Sequence, residues 1–296
     1  MNAMATQQVR SFNRTVTQRV GALSDEYLAR GRQLGASRVL WEIGTAATDI
    51  RSLRARLDLD SGYLSRLVRS LERDGLVAVE PDPADKRVRT VRLTDAGRAE
   101  REVLDQRSDD LAASLLAPLS DRQRGRLVEA MATVERLLTA GLVEVGIEDP
   151  ASPAARFCLE SYFKELDARF DAGFDPSRGS FLDADEITPP AGLLLVARLR
   201  GEPVGCGALR FHAAESVAEI KRMWVAPTAR GLGLGRRLLS ELEEHARGRG
   251  ARVVRLDTNK ALREAISLYG SAGYVEIEPF NDDPYPDHWF EKRLAA

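Results

Sequence analysis

The chain has 296 residues, and 43 basic residues against 45 acidic ones leave a formal charge of −2. That near-balance excludes a global basic field for recruiting nucleic acid, so any such contact must be local. Two widely separated cysteines, Cys158 and Cys206, exclude a disulfide framework, and the absence of a ~20-residue apolar run or a signal-like start excludes a helical membrane span or export; a soluble, cytoplasmic protein is expected.

Residues 1–140 read as helices interrupted by one β-hairpin, whereas strands alternate with helices from residue 141 onward. The change predicts two domains, 1–140 and 141–296. In "TDIRSLRARLDLDSGYLSRLVRSLERDGLV", Ile50, Leu53 and Leu57 mark one helix face, "DLD" turns the chain, and Asp60 is placed to cap a second helix. Leu64, Leu67, Val68 and Leu71 recur there at helical spacing and should face inward. The opposite face carries Ser61, Gly62, Ser65, Arg66, Arg69 and Arg73, small and polar first, then basic. A helix entering a DNA major groove needs that order: short side chains allow close approach, and hydroxyls and guanidiniums meet base edges and phosphates.

Strands over 76–80 and 87–93 follow, joined by "PDPADK", a turn by its Pro and Asp content. Alternation is expected to place Val88 and Val91 inward and the Arg side chains mostly outward, making a basic wing from Lys86, Arg87, Arg89 and Arg92. Residues 51–101 hold twelve basic and nine acidic residues, a modest excess whose placement says more than its size. Over residues 35–100 this conjunction resembles a MarR-family winged helix-turn-helix, with "SLERDGLV" leading into the wing and "DPADKR" at its tip. The resemblance implies a homodimer built from terminal helices near 7–23, 96–116 and 121–138, bound to a pseudo-palindromic double-stranded operator. Asp85 and Arg87 map onto wing-tip residues that matter in that family.

The second half opens with a strand in "VEVGIEDPASP" and a hairpin in "GLLLVARLRGEPVGCGALRFH", expected to turn at Gly201-Glu202. "AEIKRMWV" alternates as a strand, "PTA" turns, and "RGLGLG" precedes a helical stripe of Leu234, Leu238, Leu239, Leu242 and Ala246. A glycine loop between a strand and a helix N-terminus is an anion seat, because free N–H groups and the helix dipole point at the ligand. The P-loop pattern fails, since Arg236-Arg237 stands where Lys-Ser/Thr is required. The dinucleotide pattern also fails, with Arg236 at its third small position. Arg230-x-x-Gly233-x-Gly235 instead resembles the pyrophosphate signature of the GNAT N-acetyltransferases. "RVVRLDTN", then "ALREAISLYGSAGY", resembles that family's later motif, through Asn259, Leu268, Tyr269, Gly273 and Tyr274. The resemblance spans residues 143–294, and the whole chain is similar to a MarR–GNAT fusion.

The expected fold is therefore a mainly-α winged helix-turn-helix followed by an α/β domain with a mixed, mostly antiparallel sheet flanked by helices. By resemblance, acetyl-CoA lies along residues 220–225, touching Met223 and Val225. Its diphosphate is held by Arg230, Gly231, Leu232, Gly233, Leu234, Gly235 and Arg236, with Asn259 at the pantetheine or capping the next helix. The Val225 N–H is the candidate oxyanion donor, Tyr269 the general acid and Glu219 the base. Tyr162, Arg169, Phe174 and Asn281 are candidates for holding a small amine or amino acid, and the 284–286 turn for closing the mouth. No spacing suggests a metal site. Three readings stay open: a bifunctional regulator and N-acetyltransferase, a regulator whose GNAT half only senses acetyl-CoA or an amine, and an enzyme whose first half only dimerises.

Overall fold

The computed structural model describes residues 3–22, 28, 31–44, 46–83, 85–171, 173–175, 178, 183–212 and 216–294. The chain divides into two compact units, Met1–Ala130 and Met131–Ala296. The division falls inside a helix, Asp121–Ala140.

The first unit contains α1 (Ala3–Arg19), α2 (Leu34–Ile43), β1 (Thr48–Asp49), α3 (Ile50–Leu57), α4 (Ser61–Arg73), β2 (Val77–Pro81), β3 (Arg89–Leu93) and α5 (Asp95–Leu116), and α6 (Asp121–Ala140) begins in it. Local chemistry sets these boundaries. Asp49 caps α3 by accepting from the Arg51 N–H at 3.0 Å, and Asp60 caps α4 by accepting from the Tyr63 N–H at 2.8 Å. Asp58 takes the left-handed conformation that ends α3. Leu64, Val68 and Leu71 of α4 are buried with Leu40, Leu53 and Val91, so the α4 apolar stripe faces the core as its spacing requires. The sheet order is β1-β3-β2.

The first wing strand is shifted by one residue from the expected 76–80, and the second is two residues shorter than the expected 87–93. Val88 lies before β3, its N–H closing a turn on the Asp85 carbonyl at 2.8 Å, so it does not alternate with Val91. Ala84 at the tip, and Leu23 at the end of the expected first helix, lie outside the described residues.

The second unit is built on a seven-stranded sheet in the order β4-β5-β6-β7-β8-β10-β9. The strands are β4 (Val143–Ile147), β5 (Gly192–Leu199), β6 (Glu202–His212), β7 (Val217–Val225), β8 (Val253–Thr258), β9 (Val275–Ile277) and β10 (His288–Arg293). Every pairing is antiparallel except β7 with β8. The β5–β6 turn is Arg200-Gly201, both at positive φ, because Glu202 already pairs with Leu199.

Helices α7 (Pro153–Arg169) and α8 (Leu234–Gly248) cover the sheet, and α9 (Arg263–Ser271) follows β8. A Cβ on Gly205 or Gly207 would strike Leu234, Leu238 or Leu242 of α8, so α8 packs on the glycine face of β6. Alternation puts Cys206 on the other face, under α7, where its thiol donates to Arg222 O at 3.4 Å while that of Cys158 donates to the neighbouring Gly205 O at 3.6 Å. The fold thus joins two cysteines that look unrelated in sequence; both are buried and free.

Candidate functional site

The site begins with a defect in pairing. Cys206 pairs with Trp224 and Ala208 with Lys221, so Gly207 stands opposite two residues, Arg222 and Met223. This is a β-bulge, and Arg222 sits in it at a φ of 55°. A bulge bends the strand and sharpens its twist. Only Val217–Ile220 then pairs with Val253–Leu256 of β8, and residues 221–225 part from β8, leaving a wedge in the sheet. The Ala226 N–H donates to Val204 O at 2.9 Å, which makes Gly205 and Val225 a non-bonded pair. The Val225 amide therefore turns away from β6, towards the wedge.

At the end of β7 the chain makes a short turn, Pro227–Ala229, and enters the glycine loop. Gly231 and Gly233 have φ of 79° and 76°, which side chains rarely adopt, and a Cβ on either would project into open space. Gly233 is the N-cap of α8, and the first helical bond runs from the Arg237 N–H to Gly233 O at 3.1 Å. Among the described residues the amides of 231–236 have no hydrogen-bond partner. Six unsatisfied N–H groups at a helix N-terminus, with no Cβ in front of two of them, fit a diphosphate.

Two cavities meet at the wedge. One, of 540 Å³, is lined by Val225, Gly231, Gly233, Gly235 and Arg236. The other, of 520 Å³, is lined by Ile220, Lys221, Arg222, Asp257, Phe174 and Tyr285 among others. Tyr162, Met223 and Tyr269 border both. Tyr269 comes from α9, its ring tilted against those of Tyr274 and Phe290, and its hydroxyl has no hydrogen-bond partner among the described residues. Burial, then the negative charge of Asp257, pushes its phenol well above the usual tyrosine range. It is a proton holder at the junction.

Several expected residues are committed elsewhere. Glu219 is buried, pairs with Lys221 at 2.9 Å and His212 at 3.2 Å, and borders neither cavity. Arg230 reaches the first cavity, but its guanidinium is bidentate on Glu165 at 2.6 and 2.7 Å and bonds Val225 O at 3.2 Å. Arg236 bonds the Ser271 hydroxyl at 2.6 Å, and Leu232 is half-buried against the core. Asn259 donates to Tyr285 O at 2.7 Å and accepts from the Ala261 N–H at 2.9 Å, so it fixes a loop and a helix start. Arg169 is held by Glu264, Glu165 and Ala261 O, which raises its pKa chiefly through Glu264. Asn281 borders neither cavity; it donates to Asp257 Oδ2 at 2.7 Å.

Sequence motifs single out neither Asp257 nor Lys221, whereas Tyr285 stands in the 284–286 turn expected to close the mouth. Lys221 Nζ stands 2.6 Å from Asp257 Oδ2. Burial works against its charge, but Asp257 and Glu219 outweigh that and hold Lys221 above the usual range. The one legible sign was Asp257 itself, a carboxylate ending an otherwise core-forming strand.

On the first unit, α4 exposes Ser61, Gly62, Ser65, Arg66 and Arg69. Ser65 Oγ donates to Ser61 O at 2.7 Å, leaving its lone pairs outward, and Arg66 lies over the Tyr63 ring at 5.7 Å. At the wing tip Lys86 is exposed, and Asp85 grips Arg87 through Nε and Nη2, both at 3.1 Å. Those bonds lower the Asp85 pKa and raise that of Arg87. They aim a fully exposed guanidinium.

Residues 159–274 match the acetyltransferase (GNAT) family and residues 31–88 the MarR family. An IAA acetyltransferase of Azospirillum brasilense is 36% identical over 146 residues, 49% of this chain and 92% of that protein. An aminoalkylphosphonate N-acetyltransferase of Salmonella typhimurium is 35% identical over 134 residues, 44% of this chain and 80% of the other. YdgJ, an HTH-type transcriptional regulator of Bacillus subtilis, is 31% identical over 80 residues, 27% of this chain and 49% of that one. No helix among the described residues is long and apolar enough to cross a membrane. With its glycine seat at the head of α8 and its winged helix-turn-helix ahead of it, the chain belongs to the GNAT acetyltransferase family and carries a MarR-family region before the catalytic fold.

Proposed function

We propose that the chain is a cytoplasmic, bifunctional protein: an acetyl-CoA-dependent N-acetyltransferase for a small amine (residues 141–296) joined to a dimeric, operator-binding winged helix (residues 1–140). The observation that carries the transferase reading is the row of unbonded amides at 231–236 opening on a wedge in the sheet. Acetyl-CoA, when bound, supplies an activated acetyl thioester. The amides of Gly231, Leu232, Gly233, Leu234, Gly235 and Arg236 anchor its diphosphate. Residues 221–225 offer an extended backbone edge along which an amide-bearing arm lies, with Met223 and Val225 beneath it.

The Val225 N–H polarises the thioester carbonyl as negative charge develops there. Tyr269 holds a proton at the junction of the two cavities and would supply it to the thiolate of the bound carrier. Asp257 borders the cavity and Glu219 does not, so Asp257 receives the amine and draws its positive end. Glu219 holds Lys221 in position. The test is direct: with acetyl-CoA and a panel of amines, free thiol appears only when an acceptor is present. No thiol with any amine would leave a sensor as the surviving reading.

The DNA reading rests on the exposed row of α4 and the aimed Arg87. Arg66→Ala with Arg87→Ala is expected to weaken operator binding and reduce the slope of log K against log salt by about two, one per lost phosphate contact. An unchanged slope in a fluorescence titration would show that neither residue meets phosphate.

The dimer reading rests on α1 and α6, which bury no residue in the single chain. Val9, Phe12 and Val16 of α1 and Val128, Met131 and Leu138 of α6 are exposed. Apolar area of that extent on two helices marks an interface. Light scattering is expected to give twice the chain mass, and Phe12→Asp with Met131→Asp to give the single chain mass.

A further inference from the structure

We infer that the acceptor taken by this site is a primary amine carrying an aromatic ring and no carboxylate, a narrowing that rests on the transferase reading above. Two observations carry it. The first is where the rings are. The chain has only 18 aromatic residues by its counts of Trp, Tyr and Phe, and six of them, Tyr162, Phe163, Phe170, Phe174, Tyr269 and Tyr285, line the 520 Å³ cavity.

Phe174 is the centre of this wall. It stacks on Phe163 at 5.8 Å and 11°, meets Phe170 edge-on at 5.8 Å, and lies 4.7 Å from Tyr285. The wall is pinned from both ends. The Phe174 N–H donates to Asp167 Oδ1 at 3.0 Å, and the Tyr285 hydroxyl both donates to Asp175 O and accepts from its N–H at 3.0 Å. None of Phe163, Phe170, Phe174 and Tyr285 is fully buried. Their faces are therefore only partly packed against protein, and a flat ring would complete the stack.

The second observation is charge. Asp183, Asp257 and Asp283 line the cavity with Lys221 and Arg222, and Lys221 is already shared between Asp257 and buried Glu219. Among the described residues carboxylates exceed cations there. An incoming ammonium relieves that excess, and a carboxylate adds to it. Asp257 Oδ2 takes Lys221 and Asn281, while Oδ1 has no partner among the described residues. Oδ1 is the seat for the ammonium, with the ring lying back along Phe174 and Tyr285. The transfer balances: the ammonium first gives one proton to solvent, then a C–N bond forms as the thioester C–S bond breaks, nitrogen loses a second proton, sulfur gains one, and nothing is oxidised.

The experiment compares 2-phenylethylamine, phenylalanine and propylamine with acetyl-CoA, reading thiol release. The expected kcat/KM for 2-phenylethylamine exceeds both others by about tenfold or more, the scale of one good ring contact or one uncompensated charge. Propylamine equal to 2-phenylethylamine overturns the aromatic assignment while leaving the transferase intact. Phenylalanine as the best of the three overturns the charge assignment. Phe174→Ala is expected to shrink the advantage of 2-phenylethylamine over propylamine to about twofold or less, and an undiminished advantage in a folded variant counts against the wall.

Should no amine release thiol, the transferase reading fails, and calorimetry decides the pocket separately. Tighter binding of 2-phenylethylamine than of propylamine or phenylalanine supports the inference. Equal or absent binding overturns it.

Discussion

Gly233→Val is expected to weaken acetyl-CoA binding by at least about a hundredfold in calorimetry. Two effects combine. The left-handed φ of 76° costs a β-branched residue about 1–2 kcal/mol or more. The new side chain projects into the open space in front of the free amides, where a diphosphate must approach to hydrogen-bond distance. Backbone strain alone would lower stability without touching affinity. The control is therefore Gly250→Val, at a φ of 85° with equally open surroundings, past the far end of α8. That variant is expected to melt earlier yet bind acetyl-CoA as the parent does. If Gly233→Val binds normally, the loop is a structural turn and the cofactor lies elsewhere.

Tyr269→Phe is expected to lower kcat by about 10²- to 10⁴-fold, the usual worth of a positioned general acid, with acetyl-CoA affinity little changed. The substitution removes one oxygen and leaves the packing against Tyr274 and Phe290 in place. The pH profile offers a second check. Burial raises the phenol's pKa, so the protonated form persists through the range where a free tyrosine begins to ionise. A donor needed in that form gives no loss of rate between about pH 8 and 10 from its own ionisation. A variant with full kcat would remove Tyr269 from the chemistry and leave it as a core residue.

The parts of this protein that depend on near neighbours were readable from sequence. The Asp60 cap, the inward stripe of α4, the glycine loop and the stripe of α8 are all set within a few residues. So was the change from helices to alternating elements. What escaped depends on partners far along the chain. The bulge at Arg222 and Met223 exists because β6 and β7 pair out of step around Gly207, and no local pattern announces a register shift.

The charged candidates have partners that the sequence does not show, for the same reason. Arg230 is neutralised by Glu165, 65 positions away, and Arg169 by Glu264, 95 away. Glu219, the candidate base, is buried because the strand begins at Val217 and a parallel neighbour covers it. Asp257 became a neighbour of Tyr285 only once β8, the loop before β10 and α7 shared one cavity. Motifs located the chemistry; long-range pairing decided which side chains are free to perform it.

The parallel pairing of β7 with β8 lasts four residues on each strand. Past that hinge the sheet is two half-sheets separated by a seam with bare peptide groups along it. A strand edge left open in this way invites another backbone, and the visitor with matching peptide-like groups is the donor's own arm. Under the proposed function the donor would be the missing strand of the architecture as well as the reagent. Its loading would knit the halves together, and resistance to unfolding would rise with the logarithm of donor supply. A cell rich in acetylated carrier would hold this protein in a sturdier form than a starved one, before any acceptor arrives.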